Sequence, residues 1–396
     1  MKLSSRIQRL SPSATFAMSA KSAELKAQGV DVINMSVGEP DFNTPDHIKA
    51  AAHAAIDANW SRYSPVPGYP ELRKAICAKL LSENGLQYEP SEILVSNGAK
   101  QSLCNAVMAL VNPGDEVVIP TPCWVSYVQM VLLSDGVPVT VKAGIEQDFK
   151  VTASQLEAAI TPKTRLVMLC SPSNPTGAVY SEEELESLAK VILNHPDLMV
   201  ISDEIYEHIN YKGSHASIAS FHGMKERTIL INGVSKAYAM TGWRIGFMAA
   251  PQWFVKGCNM LQGQSTSGPC SLSQKTAQAA WEADQACVEQ MRLVFQRRRD
   301  LIAKLASEIP GLEVNVPQGA FYLFPKCSSY FGKSYNGRTI KSGDDMAMYL
   351  LEEAHVATVG GDSFDAPEYF RMSYATSDEL IVEALSRIKA ALAKLA

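Results

Sequence analysis

The sequence has no Cys-x-x-Cys pair, no stretch of eighteen apolar residues, no Gly-x-x-x-x-Gly-Lys-[Ser/Thr] loop and no Gly-x-Gly-x-x-Gly behind its first strand. Each absence removes a class of protein. The eight cysteines (Cys77, Cys104, Cys123, Cys170, Cys258, Cys270, Cys287 and Cys327) are scattered and mostly lie inside apolar runs. That excludes a disulfide framework and reads as reduced core thiols of a cytosolic protein. Without a long apolar run no membrane-spanning helix is expected, and the basic first residues lack the apolar run of a signal peptide, so a soluble cytoplasmic protein with no membrane partner is expected. The missing glycine loops argue against a P-loop and against a nicotinamide site. Basic residues are also in short supply: 36 Lys and Arg face 41 Asp and Glu, a net charge of -5, which argues against a nucleic-acid partner.

What is present is a chain of 396 residues, 46% hydrophobic, long enough for one large core and a satellite. The pattern predicts a helix over 15–28 stopped by Gly29, a strand at 32–35, a helix over 45–58 opening on Thr44-Pro45, and a helix over 70–83. From Ile93 strands alternate with helices: strands at 93–96, 116–119, 137–141, 165–170 and 198–202, helices at 101–111, 123–133, 153–160 and 181–193. Such alternation means an α/β fold with a mainly parallel sheet flanked by helices. Strands at 228–232 and 245–249 precede a helical stretch over 252–308, whose Arg297-Arg298-Arg299 reads as a solvated helix face. Pro310-Gly311 ends it. Strands near 312–316, 320–324, 356–359 and 369–373, with helices at 343–354 and 377–394, form a second α/β section. The break at 310 and the N-terminal arm predict a smaller domain from both chain ends, residues 1–45 and 310–396, beside a large domain of residues 46–309.

Ligands of parallel sheets bind beyond the carboxyl ends of the strands, and four such ends carry unusual residues. Strand 93–96 runs into Asn97-Gly98-Ala99-Lys100 and then a helix, so backbone N–H groups face any anion placed there. Strand 165–170 runs into Ser171-Pro172-Ser173-Asn174-Pro175-Thr176-Gly177, where two prolines and a glycine fix the Asn174 amide. Strand 198–202 delivers Asp203, with Tyr206 three residues on; a buried carboxylate there needs a cationic or hydrogen-bonding partner. Asp203, Glu204 and His208 match no metal-ligand spacing, so no metal is expected. Strand 228–232 ends in a small-residue turn holding Lys236 among Val234, Ala237, Tyr238 and Met240. Apolar surroundings disfavour the ammonium, and a neutral lysine amine is a nucleophile toward aldehydes. Arg244 follows eight residues later. An amine, a carboxylate, an amide, a phenol and a phosphate nest are the inventory that pyridoxal phosphate needs.

Ser235-Lys236-Ala237 with Gly242-Trp243-Arg244-Ile245-Gly246, Ser173-Asn174-Pro175-Thr176-Gly177 and Ser202-Asp203-Glu204-Ile205-Tyr206 resemble the class I aminotransferases of fold type I. Gly38-Glu39-Pro40-Asp41-Phe42, Ser96-Asn97-Gly98-Ala99-Lys100-Gln101, Trp124-Val125-Ser126-Tyr127 and Arg371-Met372-Ser373-Tyr374-Ala375 are similar to the bacterial and plant aspartate aminotransferase subgroup, whose plant members also transaminate prephenate. The resemblance spans nearly the whole chain. It implies a pyridoxal phosphate enzyme in which Lys236 bonds the cofactor aldehyde and then shuttles the proton at the amino acid α-carbon. It further implies that Asp203 pairs with the ring nitrogen, Asn174 and Tyr206 bond the ring oxygen, and Trp124 stacks on the ring. Gly98, Ala99, Ser235 and Arg244 would bind the phosphate, with Tyr63 reaching in from the partner subunit of a homodimer. Arg371 would take the substrate α-carboxylate, assisted by the Gly38 backbone. Lys100 would take the distal carboxylate of a dicarboxylic substrate, and Thr15 stands where prephenate-using members have threonine. Aspartate with 2-oxoglutarate is the leading substrate pair, prephenate or another aromatic keto acid the alternative.

A lyase or synthase would use the same attachment and break another bond; Lys100 with Arg371 favours a dicarboxylate transaminase. A non-catalytic sensor of this fold would carry a DNA-binding module for which the arm is too short. The sequence departs from the usual pattern at Cys123 and Val128-Gln129, where relatives commonly have tyrosine and Pro-Glu, and at Gly233, where some have a phosphate-contacting serine.

Overall fold

Apolar runs long enough to be buried on both faces build the central sheet, as parallel strands between helix layers require. The computed structural model describes residues 3–12 and 14–396. The seven strands of the central sheet are β1 (Ile93–Asn97), β2 (Glu116–Thr121), β3 (Val137–Lys142), β4 (Thr164–Cys170), β5 (Met199–Asp203), β6 (Thr228–Gly233) and β7 (Ile245–Ala249). They lie in the order β1-β7-β6-β5-β4-β2-β3. Only β7 runs against the others. β5, β6 and β7 are buried at every position, whereas the edge strand β3 is exposed or half-buried throughout. β3 carries Pro138, tolerated there because an edge needs no donor on its open side.

Alternate strand residues feed two packed layers. Leu94, Ile119, Met168, Ile201, Ile231 and Met248 join one core. Val95, Leu230 and Phe247 join a second, and Val118, Val167 and Val200 a third. The connecting helices begin on local signals. Thr152 and Ser181 each accept a backbone N–H and have theirs taken by Gln155 and Glu184, two capping boxes that start helices Ala153–Ala159 and Glu182–Leu193. Among the described residues no helix is long and apolar enough to cross a membrane. All eight cysteines are free thiols; Cys270 is exposed rather than in the core.

Beyond the sheet, Val359–Gly360, Phe370–Ser373 and Tyr322–Leu323 form a three-stranded antiparallel sheet, and Ile33–Asn34 pairs in parallel with Val356–Ala357, which brings the two chain ends together. The expected strand at 312–316 is reduced to a single bridge, Glu313 to Lys326: Val316 lies exposed and Pro317 follows. The expected strand at 320–324 contracts to Tyr322–Leu323 because Ala320 is left-handed (φ 53°). The run 356–359 is two strands serving two sheets, and Ser334–Tyr335 with Arg338–Thr339 makes a hairpin the pattern did not reveal.

Two local readings are corrected. Thr44 does not cap helix Asp46–Asp57; its hydroxyl donates to the Ala239 carbonyl at 2.8 Å and accepts from the Trp243 indole at 3.1 Å. The Arg297-Arg298-Arg299 run is not a solvated face. Arg297 is largely exposed, but Arg298 is 7% exposed and Arg299 turns inward to the Pro317 carbonyl at 2.7 Å. A buried guanidinium needs partners, and those of Arg298 are Asp41 and Asp378.

Candidate active site

The carboxyl ends of β1, β4, β5 and β6 converge on a cavity of about 510 Å³, a volume typical of small-ligand sites. The turn after β6 brings Ser235 and Lys236 to its floor. Lys236 Nζ donates to the Gly38 carbonyl at 2.6 Å and lies 5.8 Å from the centre of the Tyr206 ring. Burial pulls its pKa down to about 8; Glu39 opposes this, and the cations Arg371 and Arg244 reinforce it.

Asp203 ends β5 at 4% exposure. Its Oδ2 accepts the Tyr127 hydroxyl at 2.6 Å and its Oδ1 the Ile205 N–H at 3.3 Å. Burial pushes the carboxyl up to about 6, with the Tyr127 bond holding against it. Trp124, edge-on to Tyr127 at 5.6 Å, forms a wall, and Lys100 Nζ stands 4.7 Å from its ring centre. Burial, then the charge of Arg244, lowers the Lys100 pKa.

The expected passage from strand into helix forms after β1. Gly98 hands β1 to helix Ala99–Leu110 at φ 77° and ψ 159°, a backbone conformation that favours glycine, and a side chain there would also push the Arg244 guanidinium aside. Arg244, itself left-handed (φ 57°), donates to Asn97 O at 3.2 Å and Thr241 O at 2.8 Å. Its guanidinium therefore lies across the helix N-terminus, where backbone N–H groups have no intrahelical acceptor.

Across the cavity Arg371, 2% exposed, donates to Asn174 Oδ1 at 2.8 Å and Ser36 O at 2.6 Å. Its guanidinium carbon lies 4.5 Å from the ring centre of Tyr322 and 5.2 Å from that of Phe364. Its Nε is buried without a partner, and burial lowers its pKa. Tyr206 and Tyr322 share a hydroxyl contact of 2.7 Å. Thr15 and Phe16 reach the rim from the arm.

Thus Thr15, Gly38, Ala99, Lys100, Trp124, Asn174, Asp203, Tyr206, Ser235, Lys236, Arg244 and Arg371 all line one cavity, with Gly98 directly behind it. Tyr63 does not line it; within the single chain it is fully exposed. Sequence reasoning missed Tyr127, Tyr322, Ser36 and Thr241. Tyr127 had a signal, one helical turn beyond Trp124. Tyr322 had none, since it arrives from a distant strand.

The departures have structural reasons. Gln129 Oε1 accepts the Ser11 N–H at 2.9 Å, holding the arm that Arg6 and Arg9 also tie to Asp135. Cys123 is buried in the core behind Trp124. A Cβ on Gly233 would lie 2.7 Å from Ile245 O, so close pairing of β6 with β7 leaves no room for a serine. The acidic residues around Asp203 point away from the cavity to partners of their own. Glu204 accepts Ser202 Oγ at 2.8 Å, Ser217 Oγ at 2.6 Å and His215 Nε2 at 2.9 Å. Glu207 pairs with buried Lys79 and accepts the amides of Asn84 at 2.8 Å and Asn232 at 2.7 Å. Burial alone would raise Glu207, but Lys79 holds it below the usual carboxylate range. That node ties the Asp203 turn to β6.

Residues 30–388 match the family model described as aminotransferase class I and II. The chain is 48% identical to an aspartate/prephenate aminotransferase of Cereibacter sphaeroides over 98% of both chains. It is also 48% identical to a bifunctional aspartate aminotransferase and glutamate/aspartate-prephenate aminotransferase of Petunia hybrida, over 99% of this chain and 83% of that one. The crystal structure of the aspartate aminotransferase from Rhizobium meliloti superposes with a TM-score of 0.96 at 46% identity, covering 100% of each chain. The strand-end motifs, the cavity they build and these likenesses agree, and the chain belongs to the class I and II aminotransferases.

Proposed function

We propose that the protein is a pyridoxal-phosphate-dependent aspartate aminotransferase, moving the amino group between L-aspartate and 2-oxoglutarate to give oxaloacetate and L-glutamate. The observation that carries this is the grouping of two carboxylate-binding cations, Arg371 and Lys100, around the Lys236 amine in one cavity. A dicarboxylic amino acid has two carboxylates to satisfy. The names of the relatives support the same reading.

The donor set fits pyridoxal phosphate. Arg244, Ser235 and the helix start at Gly98 and Ala99 form a cradle for a dianion, and Trp124 offers a flat wall. Asp203, held by Tyr127, faces inward as a carboxylate for a protonated ring nitrogen, and Tyr206 and Asn174 offer polar groups to a ring oxygen. When bound, the cofactor supplies an aldehyde that accepts the amino group and a ring that draws electrons from the α-carbon. Lys236 Nζ is first the nucleophile, then the base that holds and moves the proton at that carbon. Arg371 and the Gly38 backbone orient the α-carboxylate, and Lys100 the distal one.

Glutamate formation from aspartate and 2-oxoglutarate by the purified, cofactor-loaded protein tests the proposal; an active site loaded with cofactor that makes none would overturn it. Replacing Lys100 by alanine is expected to raise KM for aspartate and 2-oxoglutarate by about 10- to 100-fold, the loss of a charged hydrogen bond, and to leave phenylalanine unaffected. Equal losses for all three would remove Lys100 from distal recognition. The depressed lysine pKa gives a pH dependence of cofactor uptake. At pH 7 about a tenth of Lys236 is neutral if its pKa is about 8. Uptake of pyridoxal phosphate by the apoprotein should therefore fall about tenfold per pH unit below 8 and level off above 9. Uptake still rising steeply at pH 10 would indicate an ordinary lysine.

Prephenate is a second acceptor in this reading. Thr15 and the exposed ring of Phe16 at the rim give room and apolar surface for a bulkier keto acid, and the Cereibacter sphaeroides and Petunia hybrida relatives, named for prephenate among their substrates, align with nearly this whole chain. Absence of arogenate from prephenate with glutamate or aspartate would exclude it. A homodimer with shared sites is part of the proposal. Tyr63 is fully exposed, and Met260 is 69% exposed on helix Gln252–Ser265, whose Gln262 bonds the loop after Tyr63. Full activity in a sedimenting monomer would contradict it. Residues 1–45 and 310–396 are proposed as the small domain beside 46–309, supported by the Ile33–Asn34 pairing with Val356–Ala357. A protease cut near Pro310 that unfolds the 46–309 piece would count against that border.

A further inference from the structure

Residues 36–42 form a strap whose backbone serves both ends of the site: Ser36 O accepts from Arg371 at 2.6 Å and Gly38 O from Lys236 at 2.6 Å. Glu39 also accepts the Thr241 hydroxyl. The strap has no slack toward the cavity wall, because a Cβ on Gly38 would collide with the Tyr322 hydroxyl. Upstream it is fixed by sheet pairing: Ser373 N–H bonds Met35 O at 2.8 Å, next to the Ile33–Asn34 ladder. Downstream no strand continues; the strap is held by Asp41 and, just past its end, by the Thr44 hydroxyl between the Ala239 carbonyl and the Trp243 indole.

Both Asp41 oxygens are taken by the Arg298 fork, Nη1 at 2.7 Å and Nη2 at 2.9 Å. The Arg298 guanidinium lies over Phe42 at 5.4 Å, and Phe42 is edge-on to Phe295 at 5.2 Å, one turn back on the same helix. Its Nε faces Asp378 at 3.4 Å, at the start of helix Asp378–Leu392. One buried arginine thus joins the strap to two helices. The paired bonds to Asp41 suit a planar fork, which an ammonium cannot reproduce, while Nε makes an ion-pair contact with Asp378 and no hydrogen bond.

We infer that Arg298, acting through Asp41, is a positioning residue that sets the strap at the depth where the Gly38 backbone meets the substrate α-carboxylate. The inference rests on the aminotransferase reading above. Arg298 touches neither Lys236 nor the cavity lining, so its effect runs through geometry. The α-carboxylate is common to the amino acid and the 2-oxo acid, and a shift of about 1 Å in a positioning group is enough to cost binding by an order of magnitude or more. Loosening the strap therefore weakens both substrates alike and leaves the proton transfer at Lys236 largely intact.

The test is steady-state kinetics and thermal melting of the cofactor-loaded enzyme in four forms besides wild type: Arg298→Met, Arg298→Lys, Asp41→Asn and the Asp41→Asn/Arg298→Met double variant. The expected result is a rise of about tenfold in KM for both aspartate and 2-oxoglutarate with kcat within about threefold. The double variant should be no worse than either single one, because the two residues act as one unit. Arg298→Lys keeps the charge without the fork and should still raise both KM values; should Arg298→Met fail to fold, that variant alone decides. Melting that falls while both KM values stay put would show a purely structural pair and overturn the inference, as would independent, multiplying losses in the double variant. A wild-type enzyme that makes no glutamate would sink the aminotransferase reading itself, whereas an active wild type with unshifted variants would sink only the role of Arg298.

Discussion

Replacing Lys236 by alanine is expected to reduce glutamate formation by at least about a thousandfold, the range for loss of a group that is both nucleophile and general base. The folded protein should survive the change. The amine sits where burial has brought its pKa from 10.5 to about 8, a penalty on the charged form of about 3 kcal/mol at neutral pH. The sign follows from linkage: the folded state releases this proton at lower pH than the unfolded chain, so the charged form costs stability below pH 8 and the cost fades toward pH 10.5. Alanine removes that cost together with one hydrogen bond to Gly38. The melting temperature of the alanine apoprotein at pH 7 should therefore equal or exceed that of wild type. Retained turnover would remove Lys236 from the chemistry; a collapse of the fold would show that the amine is structural. A residue that weakens the fold where it works is the usual mark of a functional group.

Arg371→Met is the second large effect, an expected rise in KM for every amino acid and 2-oxo acid of about 30- to 5000-fold, from the roughly 2–5 kcal/mol that a buried charge-assisted pair is worth. Lysine in its place should recover little, because the site presents a planar fork between two rings, Tyr322 and Phe364. Here the melting temperature should fall: Asn174 Oδ1 and Ser36 O lose their donor inside the protein, and buried acceptors left bare cost about 1–3 kcal/mol each. Comparison with Lys100→Ala separates the two cations. Loss of Arg371 should affect phenylalanine as severely as aspartate, since both carry an α-carboxylate, whereas loss of Lys100 should spare phenylalanine. An Arg371 variant with unchanged KM for phenylalanine would contradict its assignment to the α-carboxylate.

Much of this cavity was readable from the chain because its parts sit at the ends of apolar runs. Asn97 and Asp203 end their strands, and Gly98, Ala99, Asn174 and Lys236 come within a few residues of a strand end, so a local pattern places them at one end of the sheet. Arg371 was different: no periodicity marks it, and only resemblance to a family singled it out. Tyr322 and Ser36 had no signal at all, for they meet Arg371 through strand pairing between segments far apart in sequence. Arg298 was misread because three adjacent arginines on a long helix suggest solvent, yet one of three consecutive helical positions must face inward. The strand boundaries that failed did so for backbone reasons, as with the left-handed Ala320. The Gly233 departure, ambiguous as sequence, is decided by the space between two strands.

The reversed strand β7 has a consequence for how this site is wired. Because β7 is antiparallel to β6, it begins at the edge of the sheet where β6 ends, with Gly233 opposite Gly246. The chain between them needs no crossover helix. Lys236 and Arg244 therefore hang from a single short loop, and the span from the reactive amine to the anion cradle is fixed by the covalent chain itself. Had β7 run with its neighbours, the residue preceding it would have emerged on the opposite edge, and the cradle would have lost its arginine. The same reversal sets Asn97 opposite Ile245, so the helix start behind β1 and the arginine are brought together by ladder hydrogen bonds rather than by side-chain packing. The separation of the Lys236 amine from the Arg244 guanidinium is in this sense a property of backbone topology more than of the surrounding core.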